Sequence, residues 1–137
     1  MKNEFINADS MNYINSLPRP YMYNEFIKWL SLKYIAIKPA GNSYPALDYI
    51  SKRNQHVIGF VIINDINLLT HQIFKEYQAF KNQYHLNELI LVSNKELGAK
   101  EKLNAAKHHV KLIDCKELAL YYENYNKYLV NLMLGRQ

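Results

Sequence analysis

Apolar residues along this 137-residue chain recur at two periods, and the switches between them predict an order of elements. Between Tyr23 and Lys33, Phe26, Ile27, Trp29 and Leu30 give an amphipathic helix at the 3.6 period, with Asn24 near its start. Tyr34 to Lys38 is a β-rich run, and the segment Pro39-Ala-Gly-Asn-Ser-Tyr-Pro45 is the clearest loop. Leu47 to Ser51 and Val57 to Ile63 read as strands, joined by a turn at Lys52-Arg-Asn-Gln55. From Asn67 to Tyr84 the residues Leu69, Ile73, Tyr77, Phe80 and Tyr84 form one helical stripe, with Lys75, Glu76, Lys81 and Asn82 on the other face. Glu88 to Val92 reads as a buried strand. Glu96 to His108 reads as a helix turning Ala99, Leu103 and Ala106 towards the sheet, where small side chains allow close packing. Val110 to Ile113 is a last strand, and Asp114 is placed to N-cap a final helix from Cys115 to Leu134.

The order is helix, three strands, helix, strand, helix, strand, helix. An antiparallel meander followed by alternating helices and strands predicts an α/β protein, a mixed β-sheet flanked by helices on both faces. Residues 1–20 are polar and end in Pro18-Arg-Pro20, which disfavours helix through Leu17 and Arg19. They read as a loosely attached arm, in which Asp9 to Leu17 could turn Met11, Ile14 and Leu17 against the body. Residues 21–137 form the domain proper. The length suits one core, and neither an internal repeat nor a low-complexity segment interrupts it.

Composition adds limits. With 49% apolar and 21% charged residues the chain has the balance of an ordinary globular protein. Its net charge of +5 makes a polyanionic partner plausible. A single cysteine, Cys115, rules out an internal disulfide framework, and no paired-cysteine or Cys/His motif suggests zinc. The longest apolar run, Val57 to Ile63, is far below the roughly 20 residues that span a bilayer. The N-terminus has no apolar core of the signal-peptide kind. A cytoplasmic protein without membrane contact is expected.

The stretch Ala46 to Ile63 carries the candidate chemistry. An acidic residue, Asp48, opens one strand, a basic turn follows, and the next strand is wholly apolar. This resembles the central hairpin of the PD-(D/E)xK nuclease superfamily. There an Asp on one strand and an acid-x-Lys pair on the next share one face, because residues i and i+2 of a strand point the same way. The carboxylates then hold a divalent metal and the Lys sits beside the attacking water. Asp48 fits the first position, whereas Val61 and Ile63 fall where the acid and the Lys belong. A register error of one residue would bring in Phe60 and Ile62 instead, with the same outcome.

Other segments resemble Mrr-like restriction endonucleases of that superfamily. Glu25-Phe26 resembles their helical FE pattern, and Leu47-Asp48-Tyr49-Ile50 resembles their GGxDxI segment, with Pro45-Ala46 in place of the glycines. Ile90-Leu-Val-Ser-Asn94, Ala99, Ala105-Ala106, Val110-Lys-Leu-Ile-Asp114 and Glu117-Leu118 resemble their closing strand-helix-strand module. The resemblance covers about Met22 to Tyr122 and implies a restriction-endonuclease-like fold. Of the site it leaves Glu25 and Asp48 as remnants, with Asp48 the one position left to touch a metal. The implied protein is a pseudonuclease that still binds DNA through its backbone, with no cofactor.

Each signal also has a plain structural reading. Asp48 would then tie down the Gly41 to Pro45 turn, Glu25 would lie on a helix surface, and His108-His109 would complement a helix C-terminus. Lys38, Lys52, Arg53 and Lys95 are candidates for phosphate contact, since the expected topology could gather them at the mouth of the old site. The twelve tyrosines read mainly as core residues rather than a stacking platform. Two further readings stand beside DNA binding. One is a protein-interaction module using the last helix, through Leu118, Leu129 and Leu132, for a homodimer or another protein partner. The other is a magnesium-dependent DNA endonuclease whose acid and Lys have migrated, with Glu76, Lys75 or Lys95 as substitutes.

Overall fold

The computed structural model describes residues 8–63 and 69–135. Among them are five helices, α1 (Ala8–Asn15), α2 (Arg19–Leu30), α3 (His71–Gln83), α4 (Ala99–Lys107) and α5 (Cys115–Met133). Five strands form one sheet: β1 (Ile37–Pro39), β2 (Tyr49–Arg53), β3 (His56–Ile63), β4 (Glu88–Ser93) and β5 (Lys111–Ile113). They lie side by side in chain order. β1, β2 and β3 form an antiparallel meander, and β4 and β5 then add in parallel. Parallel neighbours need a crossover, which α3 and α4 supply. The protein is an α/β domain whose mixed sheet is covered on both faces.

β3 shows how the sequence produces this. Ile58, Phe60 and Ile62 join a core with Met22, Phe26, Trp29 and Leu30 of α2 and Leu118 and Ala119 of α5. Val57, Val61 and Ile63 join a second core with Phe74 of α3 and Ala105 of α4. A strand buried on both faces has no polar face to alternate with, which explains its unbroken apolar run. Gly59, in its middle, leaves the space occupied by Leu47 and Leu86, whose methyl carbons would stand 2.8 and 3.0 Å from an added Cβ.

Several local expectations are revised. α2 begins at Arg19, four residues before the expected Tyr23, with Pro18 as extended N-cap. Prolines are tolerated there because the first-turn N–H groups have no intrahelical partner. The residues read as a loose arm contribute α1, whose Ile14 is fully buried, and Tyr13 contacts both Trp29 and Tyr122. β1 is shorter and later than Tyr34 to Lys38. Tyr34 is instead buried, edge-on to Phe60, and Ala36 takes a positive φ that interrupts the extended chain. The hairpin turn is confined to Asn54-Gln55, with Asn54 at φ 56°, a conformation Asn tolerates.

The two middle helices are rotated from the expected stripes. α3 starts at His71, and its buried residue is Phe74. Ile73, Tyr77 and Phe80 are half-buried beside it. The expected beginning of this helix at Asn67 lies outside the described residues. In α4 the buried residue is Ala105, whereas Ala99, Leu103 and Ala106 face outward, Leu103 being 59% exposed. Both helices end on a histidine at positive φ, His85 and His109, where glycine is the usual choice.

Asp114 caps α5 as expected, its Oδ1 accepting from the amides of Lys116 and Glu117. Its other oxygen accepts from the Leu97 amide and lies 3.3 Å from Lys102 Nζ. One fully buried carboxylate thus joins the loop after β4, helix α4 and the start of α5.

Candidate functional site

The sheet has two ends, and the residues singled out in the sequence divide between them. β3 is eight residues long, so its ends stand about 20–25 Å apart at 3.3 Å per residue. Asp48 lies beside the C-terminal half of β3. Ser93 pairs with Ile63 at its far end, so the following Asn94 and Lys95 share that end. Lys52 and Arg53 lie at the hairpin, opposite Val57 and His56. Lys38 sits across from Ile50 on the edge strand β1. The four cations are therefore not gathered around one mouth.

At the Asp48 end, Tyr49 pairs with Phe60, and the Asp48 amide also donates to the Phe60 carbonyl at 2.9 Å. Two consecutive residues thus oppose one, the arrangement of a β-bulge. The Asp48 carbonyl accepts from Ala40, and Asp48 Oδ2 accepts the Ile62 N–H at 2.7 Å. The carboxylate takes up an amide of β3 that β2 no longer reaches. Val61 and Ile63, which occupy the acid and Lys positions of the resemblance, are buried in the core beneath α3 and α4.

Glu25 does not join Asp48. It lies on α2 beside Tyr23, Ile27, Pro39 and Tyr49, where it pairs with Lys28 at 2.9 Å. Tyr49 packs against the α2 and α5 core, and its hydroxyl donates to the Tyr23 carbonyl. Asp48, by contrast, is near enough to Tyr77 of α3 for its charge to add to the burial that raises the phenol's pKa. Lys95 Nζ donates to the Asn15 carbonyl at the end of α1, joined there by the Asn94 amide. This is a helix C-terminal cap. Of the residues considered as migrated substitutes, Glu76 is exposed, and Lys75 lies close enough to His108 to disfavour its protonation. Among the described residues no group of three or more His, Cys, Asp or Glu is arranged to hold a metal ion.

The hairpin end is different. Lys33, Tyr34, Ser51, Arg53 and His56 line a hollow of about 260 Å³. Lys111 reaches its edge, with Nζ 3.4 Å from the Tyr34 hydroxyl. Lys33 Nζ donates to the Tyr121 hydroxyl, which holds its pKa above the usual lysine value. His56 pairs with Glu88 at 3.1 Å. Glu117 is half-buried, and its carboxyl is pushed above the usual range, first by burial and then by Asp114. Lys52 and Arg53 are exposed and, among the described residues, have no ion-pair partner. Sequence reading identified Lys52 and Arg53 but missed Lys33, His56 and Lys111. Their grouping depends on where the turn after α2 and the start of β5 meet the hairpin.

Fold and side chains together define an α/β domain with several cations at its hairpin end and buried apolar side chains at Val61 and Ile63 beside Asp48. No family model, no curated protein and no solved structure matches the chain. Among the described residues no helix is long and apolar enough to cross a membrane.

Proposed function

We propose that this chain is a catalytically silent relative of the Mrr-type nucleases that binds DNA through backbone contacts, centred on the hairpin end of its sheet. The observation carrying the reading is the hairpin end itself, where Arg53 shares a hollow with Lys33, Lys111 reaches its edge and Lys52 precedes Arg53 on the opposite face of β2, with Lys52 and Arg53 both exposed and, among the described residues, without a carboxylate partner. Such cations neutralise phosphates without reading sequence. Silence follows from chemistry at the other end. Val61 and Ile63 offer neither oxygen nor amine, and Asp48 is already engaged by Ile62. The test is salt dependence. With three phosphates neutralised, log K should fall against log salt with a slope of about −2.7. A slope near zero would sink the reading.

A second reading is favoured by one surface. The last turns of α5 expose Leu129, Val130, Leu132, Met133 and Leu134, Met133 at 85%. As an assembly module the chain would self-associate through this strip. Sedimentation would then show a concentration-dependent dimer weakened by Leu129→Asp or Tyr125→Asp. A monomer at all concentrations contradicts that reading.

A further inference from the structure

On the α3 and α4 side of the sheet, two histidines far apart in sequence meet. His71 is the first residue of α3, and His108 is the C-cap of α4. His71 Nδ1 and His108 Nε2 are 3.3 Å apart, with the rings inclined at 61°. That separation is long for a hydrogen bond from ring nitrogen, whose usual range ends near 3.2 Å. It matches the edge of a tetrahedron around zinc, since two nitrogens each about 2.0–2.1 Å from the ion stand about 3.3–3.4 Å apart.

The second nitrogen of His108 is occupied in the way such a site requires. Nδ1 is 3.0 Å from Gln78 Oε1. An amide oxygen only accepts, so Nδ1 carries the proton and the Nε2 lone pair is left facing His71. An outer hydrogen bond of this kind fixes the tautomer and orientation of metal-binding histidines. Phe74 lies nearly parallel to the His108 ring, at an interplanar angle of 11° with the centroids 6.5 Å apart. His71 is exposed and His108 half-buried, so an ion has access from solvent.

We propose that His71 and His108 form a two-histidine site for a divalent transition-metal cation of the zinc class, with water completing the coordination, that clips α3 to α4. Imidazole suits zinc, copper and nickel rather than magnesium or calcium, so the site is separate from the nuclease chemistry considered above.

The test is isothermal titration of the full, untagged chain with zinc chloride at neutral pH, alongside magnesium chloride. One zinc ion per chain with micromolar dissociation is expected, magnesium giving no heat. His71→Gln and His108→Phe, the second keeping an aromatic ring beside Phe74, should each weaken binding at least tenfold. His85→Ala, at the end of α3, should leave it unchanged. In ring-nitrogen NMR both His71 and His108 should shift together on adding zinc. Absence of zinc binding, or binding that survives His71→Gln and His108→Phe, would overturn the proposal, the latter marking adventitious capture by other histidines.

Discussion

The carboxylate of Asp48 accepts the backbone N–H of Ile62 at 2.7 Å, so the residue that most resembles a nuclease ligand completes a strand. Removing it leaves that amide without a partner, at a cost of about 1–3 kcal/mol. Asp48→Ala is therefore expected to lower the urea midpoint. Asp48→Asn, which retains an acceptor oxygen, should lose less. If Asp48→Ala were as stable as the parent, the bond would carry no structural weight.

Asp114 serves more partners. Its two oxygens accept from Leu97, Lys116 and Glu117 and approach Lys102, at full burial. Losing the cap costs about 0.5–2 kcal/mol and orphaning the Leu97 amide adds about 1–3, so Asp114→Ala should cost about 1.5–5 kcal/mol in equilibrium unfolding. A loss below about 1 kcal/mol would contradict this hub role.

Glu117 gives a pH dependence opposite to that of most carboxylates. Burial, then Asp114, raises its folded-state pKa. The native state therefore binds the proton more tightly than the unfolded chain, and the ionised group destabilises at neutral pH. That penalty fades as pH falls through the raised folded pKa and is gone below the ordinary carboxylate value. Glu117→Gln should melt higher than the parent at pH 7, with the gap closing towards pH 3. A gap constant with pH would show that ionisation is not the cause.

Much of this fold was legible because burial on both sides of a sheet leaves a plain record. The unbroken apolar run from Val57 to Ile63 reads as a buried strand, and Asp114 before an apolar helix is placed to cap it, as both are in the structure. Helix facing was less legible. Leu103 and Ala105 are both apolar, and the choice between them is made by where Leu97 and Val110 anchor the ends of α4. In α3, Phe74 takes the place expected for the stripe through Ile73 and Phe80, because the helix enters after Leu69 and Thr70, whose hydroxyl caps it. At the candidate site, the apolar Val61 and Ile63 could be read directly. The separation of Lys95 from Lys52 and Arg53 could not, because it depends on strand direction and on α1 seating against the end of β4.

These helix orientations can be checked. Phe74→Ala, at a fully buried site, should cost about 3–5 kcal/mol. Leu103→Ser should change stability by no more than about 0.5 kcal/mol. The reverse order in denaturant unfolding would mean the helices present their other faces.

Fluorescence anisotropy of labelled duplex DNA at low salt, with substitutions at the two ends of the sheet compared, tests DNA binding at the hairpin end. Lys52→Glu/Arg53→Glu is expected to weaken binding at least tenfold and to flatten the salt slope by about two, whereas Asp48→Asn should bind like the parent. Equal binding by parent and double variant, or no binding by the parent, would contradict a DNA-backbone interface at the hairpin end.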